Sequence, residues 1–196
     1  MKIRFTLTAV VLALAWLPEV AAAQIFTPSY LAPRQASDLG IHISDGWARG
    51  GGLAVEGVWR RGFGSYDLGF RGGIAETSGD AVLLIGGDYR RPLMIQTEPL
   101  IMALTGGAQA ALGSGSAFGV DAGLTVGSTF NPEGVLVTPY LHPRIALVRS
   151  APRESLGLEL LADLGVEVEI QPNLIFRLAL GFGSETADLG IGLAWR

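Results

Sequence analysis

The sequence predicts an all-β chain that closes as an antiparallel, up-and-down transmembrane β-barrel of ten strands. Three observations carry that reading. Apolar and polar or small residues alternate with period two along most of the chain after about residue 39, the signature of extended strands with two unlike faces. Short turn-forming stretches separate these runs, and no helical pattern competes with them. The polar faces are rich in Gly and Ala as well as charge, which suits a crowded lumen with an apolar exterior in lipid better than a solvated surface.

The last 41 residues show the pattern most clearly. Leu158, Leu160, Ala162, Leu164, Val166, Val168 and Ile170 form one face, and Glu159, Leu161, Asp163, Gly165, Glu167 and Glu169 the other. The turn Gln171-Pro172-Asn173 follows. The next strand sets Leu174, Phe176, Leu178, Leu180 and Phe182 against Ile175, Arg177, Ala179, Gly181 and Gly183. After Ser184-Glu185-Thr186, the closing strand sets Leu189, Ile191, Leu193 and Trp195 against Asp188, Gly190, Gly192, Ala194 and Arg196.

Earlier strands repeat the arrangement. Leu39, Ile41 and Ile43 face out, opposite Gly40, His42 and Ser44, in a short first strand. Beyond a turn at Ala48 to Gly51, Leu53, Val55, Gly57 and Trp59 alternate with Ala54, Glu56, Val58 and Arg60. After Gly62 to Ser65, Tyr66, Leu68, Phe70 and Ile74 oppose Asp67, Gly69, Arg71 and Ala75. After Thr77 to Asp80, Leu83, Ile85 and Tyr89 oppose Leu84, Asp88 and Arg90. A longer loop over Arg91 to Leu100 leads to Leu104, Ala108 and Leu112 opposite Thr105, Gln109 and Ala111. Gly113 to Ser116 turns into Phe118, Val120 and Leu124 opposite Gly119, Asp121 and Thr125. Asn131 to Gly134 turns into Val137, Leu141, Ile145 and Leu147 opposite Thr138, Tyr140, His142 and Arg144, and Ser150 to Ser155 leads into the closing strands. Pro139 and Pro143 fall inside this seventh run. Proline cannot donate to a ladder, so the strand is expected to start after Pro143 or to carry a bulge. That difficulty and the short first strand leave eight strands as the alternative.

The front of the chain implies export. Met1 to Arg4 is basic, Phe5 to Trp16 is a short apolar core, and Ala21-Ala22-Ala23 offers a small-x-small cleavage site before Gln24. Residues 1–23 therefore read as a cleaved signal peptide and 24–38 as a periplasmic lead-in without alternation, with the barrel over 39–196. No later stretch is long and apolar enough for a helical span. There is no Cys, hence no lipid anchor on one and no disulfide. Removing Lys2, Arg4 and Glu19 from 14 basic and 18 acidic residues leaves 12 and 17, a net charge of −5, which makes nucleic acid an improbable partner. Gly is 28 of 196, well above the usual ~7%.

These strands, their inward small residues, their short turns and the closing strand with Trp195 resemble the small outer-membrane β-barrel superfamily, of the type of the OmpA and OmpX transmembrane domains. The resemblance covers nearly all of the mature chain. It implies residence in the outer membrane of a Gram-negative-type envelope, with lipid and the barrel assembly machinery as partners and a monomer as the unit. Barrels of this superfamily commonly end in an aromatic residue; here Arg196 follows Trp195.

The expected site is the charged lumen face: Glu56, Arg60, Asp67, Arg71, Asp88, Arg90, Asp121, Arg144, Glu159, Asp163, Glu167, Glu169, Arg177 and Asp188, with Arg196. Acids and arginines in near balance predict ion pairs that offset the cost of enclosing charge. In barrels of about eight strands such side chains fill the interior. A tenth pair of faces and many inward Gly leave room for a narrow water path. The expected function is therefore a structural or narrow-pore, porin-like barrel.

Catalysis, metals and cofactors are not expected. His42, Ser44 and Glu56 resemble loosely the His-x-Ser…Glu pattern of outer-membrane lipid A deacylases. In that family, however, the motif lies near the C-terminus and faces lipid, so ordinary lumen residues are the simpler account. His142 has no acid or Ser close in sequence, and two isolated His make no metal cluster. Glu159, Asp163, Glu167 and Glu169 alternate on a strand, unlike a calcium loop. The Gly pairs open no helix and so make no phosphate loop. Two other functions stay open as alternatives: a lipid A-modifying barrel enzyme, and a soluble exported barrel that binds a small apolar ligand. Mass spectrometry of the mature protein should find Gln24 at its N-terminus; a retained leader would contradict the export reading.

Overall fold

The computed structural model describes residues 28–46, 51–77, 80–93, 99–113, 116–150, 156–183 and 187–196. The predicted signal peptide with its cleavage site, and the turns at 48–50, 78–79, 114–115, 151–155 and 184–186, lie outside these residues. So do 24–27 of the lead-in and 94–98 of the longer loop.

Ten strands form one closed antiparallel barrel. They are β1 (Asp38–Gly46), β2 (Gly51–Gly62), β3 (Asp67–Thr77), β4 (Asp80–Pro92), β5 (Leu100–Leu112), β6 (Ala117–Ser128), β7 (Leu136–Ser150), β8 (Leu156–Gln171), β9 (Leu174–Phe182) and β10 (Ala187–Trp195). Each pairs with its neighbours in sequence. Pairing of Leu39 with Trp195 through Gly46 with Asp188 closes the ring between β1 and β10. The short first strand is thus a full member, and the alternative of eight strands falls away. The shortest strands have nine residues, within the ~9–11 that a tilted strand needs to cross a bilayer.

The faces alternate. On β1, Leu39, Ile41 and Ile43 are 42–57% exposed, whereas His42 and Ser44 between them are 2% and 3% exposed. On β8, Leu158, Leu160 and Leu164 are exposed while Asp163 is buried. Exposed apolar side chains recur around the circumference, from Trp59 and Phe70 through Ile85, Leu104, Phe118 and Ile145 to Ile191 and Trp195. An apolar exterior of this kind is unstable in water and stable in hydrocarbon. Aromatic rings gather at the end where β1 begins and β10 finishes: Trp59 stacks on Phe70 with centroids 5.9 Å apart, Phe63 on Tyr66 at 5.4 Å. That is the interfacial position amphipathic rings favour. Within, the aliphatic clusters are small; one unites Ala54, Ala75, Val82, Leu84 and Ala111. Among the described residues, polar and charged side chains are buried as often as apolar ones.

The prolines of β7 cause neither expected change. The strand begins at Leu136, ahead of both, and its pairing with β8 runs without a break from Leu136 with Glu169 to Arg149 with Leu156. Pairing with β6 lapses between Gly123–Arg144 and Val126–Leu141, and resumes in the same register. A proline with no N–H to donate opens a gap in one ladder, and the ladder on the other side holds the strand in line.

The tight turns follow their glycines. Gly64 takes φ +81° between β2 and β3, where the Phe63 N–H donates to the Tyr66 carbonyl at 2.7 Å. Gly134, φ +88°, ends the short 3₁₀ turn Pro132–Gly134 before β7. Both use conformations that side chains resist.

One expectation is corrected. The stretch before β1 reads as a lead-in outside the barrel; residues 28–36 instead lie inside it. Ser29, Tyr30, Leu31, Ala32 and Ala36 are 0–6% exposed. A Cβ on Gly190 of β10 would overlap the Tyr30 hydroxyl, and one on Gly181 of β9 would lie 3.6 Å from the Pro28 ring. The segment therefore descends through the lumen from Pro28 to the terminal rim, where Ser37 accepts a hydrogen bond from the Gly62 N–H at 2.8 Å, and there joins β1.

The outward position of Leu164, opposite Leu141 and Leu180, yields a test of inside and outside. Leu164→Arg should destabilise the folded barrel by about 2–4 kcal/mol near the bilayer midplane, measured by denaturant unfolding in lipid vesicles. An unchanged midpoint would mean that this face does not meet lipid.

Candidate functional site in the barrel lumen

Alternation places charges on the inner face, and register then decides which meet. Glu167 of β8 lies directly opposite Arg177 of β9, Asp38 of β1 opposite Arg60 of β2, and Asp67 of β3 opposite Arg90 of β4. Arg177 donates to Glu167 at 2.7 Å. It also reaches across β10 to Asp38, at 2.5 and 3.3 Å. The inner face of β10 there carries only Gly190, Gly192 and Ala194, which clears the way. Arg60 lies 3.8 Å from both Asp38 and Asp67 and donates to Asp88 at 3.3 Å. Between Arg60 and Asp88 the register puts Gly69, where a Cβ would sit 2.4 Å from the Asp88 carboxylate; that glycine keeps the bridge open. Arg90 closes the chain on Asp67 at 2.9 Å. Charged side chains of six strands (β8, β9, β1, β2, β3 and β4) thus form one continuous buried network.

Further along the barrel axis, Glu56 accepts from Arg71 at 3.0 Å. Asp163 accepts from Arg144 at 2.9 Å, and Asp121 lies 3.8 Å from the same guanidinium. His142, opposite Asp163 across β7 and β8, is held on both ring nitrogens. Its Nδ1 is 2.7 Å from Ser29 Oγ and 3.2 Å from Asp163 Oδ2, and its Nε2 is 2.7 Å from Thr105 Oγ1. Ser29 Oγ donates to Asp163 at 2.6 Å, so it accepts from Nδ1–H, and Thr105 donates to Nε2. His142 with no acid or Ser close in sequence thus has both in space, across sequence separations of 21 and 113 residues.

Residues 28–37 bind this lined interior through side chains and single main-chain groups. Tyr30 stacks on His42, centroids 4.1 Å apart. Arg90 donates to the Ala32 carbonyl. Arg34 donates to Glu169 at 2.7 Å, and Arg196 donates to the same carboxylate at 3.1 Å. Gln35 donates to the Tyr66 carbonyl at 2.7 Å. The inward glycines that left room for a water path in the sequence are where bulky groups lie. Tyr30 covers Gly190, His42 covers Gly192, and Tyr140 covers Gly165. A cavity of mixed character remains between the segment and β3 to β7, lined by Ser29, Leu31, Arg71, Asp88, Gln109 and Arg144 among others.

Of the remaining predicted residues, Asp188 is buried on β10, Glu159 is half-buried on the inner face of β8, and Glu169 and Arg196 pair at the terminal rim. Among the described wall residues, eight buried or nearly buried acids (Asp38, Glu56, Asp67, Asp88, Asp121, Asp163, Glu167 and Asp188) face five such arginines (Arg60, Arg71, Arg90, Arg144 and Arg177). Asp38, assigned to the lead-in by sequence, belongs to this set; extending the alternation of β1 by one residue would have found it. Ser29 and Tyr30 carry no such signal.

His42, Ser44 and Glu56 are buried together on the inner face of β1 and β2. His42 and Glu56 are cross-strand partners, yet both His42 ring nitrogens lack a hydrogen-bond partner and Glu56 binds Arg71. Among the described residues, no group of three His, Cys, Asp or Glu is arranged to hold a metal.

The sequence matches no protein-family model and no curated protein. Its fold does match solved structures. The β domain of the Bordetella autotransporter BrkA superimposes with a TM-score of 0.56 at 10% identity, covering 82% of this chain and 98% of that one. The KdgM porin gives 0.43 at 5% identity over 81% and 98%, and LpxR from Salmonella typhimurium 0.42 at 11% over 87% and 79%. By the first of these matches the chain shares the fold of an autotransporter β domain, here a closed antiparallel barrel.

Arg177 is fully buried between two carboxylates, and its removal would leave both short of a counter-charge. Arg177→Met is expected to lower stability by about 3–5 kcal/mol, read as a lower denaturant midpoint for loss of the compact gel form. A loss below about 1 kcal/mol, the range of solvated pairs, would show that water reaches the network.

Proposed function

We propose that this protein is a small outer-membrane barrel with a structural role, exported with loss of its leader near Ala23 and closed to solutes in the form described. The observation that carries the reading is the pairing of an apolar exterior with a lumen filled by ion pairs and by residues 28–37. The exterior supports lipid as its surroundings, and the acidic, apolar-belted chain favours assembly by the barrel machinery as a monomer. The ion-paired lumen favours this reading over a soluble carrier of an apolar ligand, which needs an apolar cavity. No catalytic role is assigned, because the Glu56 carboxylate that a hydrolase would need free is held by Arg71. A porin-like role requires the internal segment to move.

Cell fractionation and planar-bilayer recording test this together. The protein should enter the outer-membrane fraction, need detergent for extraction, and change gel mobility on heating. Purified into a bilayer, it should show no steady conductance. A detergent-free periplasmic form would contradict the membrane assignment, and a constant open current would contradict the closed lumen.

A further inference from the structure

Residues 28–37 differ from the wall around them. Residues 28–37 are in no strand. Tyr30 holds φ +52°, a left-handed conformation that a bulky residue adopts only when its surroundings force it. Its hydroxyl is buried and has no hydrogen-bond partner. The segment thus carries strain and an incompletely satisfied polar group.

The wall is complete without it. Each charged wall group that touches the segment keeps another wall partner. Asp163, bound by Ser29, keeps Arg144 at 2.9 Å. Arg90, bound to the Ala32 carbonyl, keeps Asp67 at 2.9 Å. Glu169, bound by Arg34, keeps Arg196 at 3.1 Å. Withdrawal therefore leaves none of these buried charges uncompensated, the penalty that usually fixes a buried polar element in place. The shelf of Gly181 and Gly190 beneath Pro28 and Tyr30 would remain as an open groove.

We propose that the lumen is a binding groove for a short peptide without regular secondary structure, that residues 28–37 are its tethered and displaceable ligand, and that their departure opens a passage for small cations. The proposal rests on the membrane-barrel reading above. Recognition is assigned to three contacts: the Ser29 hydroxyl on His142 and Asp163, the Tyr30 ring on His42, and the Ala32 carbonyl on Arg90. Cation preference follows from the excess of wall carboxylates over arginines, which raises the local cation concentration.

The test uses a variant lacking residues 28–36 in a planar bilayer, after heat-modifiable mobility has shown it folded. It should conduct, prefer K⁺ over Cl⁻, and be blocked by a synthetic peptide of residues 28–37. A peptide with Ser29→Ala should block about ten- to hundred-fold more weakly, the loss expected for a hydroxyl bonded to a charged partner. A folded but silent variant would overturn the proposal, as would a conductance the peptide does not block; anion selectivity would overturn the cation assignment.

Should the variant not fold, the full chain can be locked instead. It has no Cys, and a Cβ at 181 would lie 3.6 Å from Cγ of Pro28, so Pro28→Cys with Gly181→Cys sets two thiols near each other, and mass spectrometry first establishes that oxidation joins them. Brief openings at high voltage should be present when this pair is reduced and vanish when it is oxidised. Openings that persist after oxidation, or are absent in the reduced form, would overturn displaceability. A wild-type protein that never becomes heat-modifiable would instead overturn the membrane reading beneath it.

Discussion

The structure depends on one constraint: no backbone N–H or C=O can be left unpaired in hydrocarbon. A sheet meets that only by closing, and here closure is the ladder between β1 and β10. Once it exists, the rest follows. An even number of strands brings the start of β1 and the end of β10 to one rim. The outward faces carry exposed apolar side chains, the surface that hydrocarbon favours. The inward faces, freed from that demand, collect the polar residues, and a ring of ten strands is narrow enough for those residues to touch. The first strand, short and unremarkable in sequence, is needed because without it β2 and β10 would each present a bare edge.

Enclosing so much charge is the price of that arrangement, and the register offsets it. Asp38 with Arg60, Asp67 with Arg90 and Glu167 with Arg177 are cross-strand neighbours, so folding the ladder also brings the ions together. Glycine and alanine on the intervening strands let arginines reach a second carboxylate: Arg177 over β10, Arg60 over Gly69. Ion pairs therefore share the interior with apolar side chains, whose clusters are small patches such as Ala117, Ala146, Val148 and Leu161.

Much of this was legible from period-two alternation alone, because a strand's two faces are a local property. Leu164 and Asp163 declare their sides from their neighbours. What alternation cannot carry is partnership across the barrel. His142 looks isolated in sequence because its acid and its serine belong to β8 and to the internal segment, 21 and 113 residues away. The segment itself was misplaced because Pro28, Pro33 and the residues around them have no period at all. A plug, unlike a strand, is recognised by the wall it fills. The prolines of β7 misled for a related reason: the rule against proline in a ladder concerns one edge of one residue, and the pairing of β7 with β8 on the other edge is untouched.

The central claim is the inverted barrel, with lipid outside and ions within. Spin labels placed one at a time at residues 162 to 168 of β8, in protein reconstituted into vesicles, measure it most directly through their accessibility to dissolved oxygen, which concentrates in hydrocarbon. Accessibility should alternate with period two, high at 162, 164, 166 and 168 and low at 163, 165 and 167. Maxima at the odd positions, or no period at all, would contradict it.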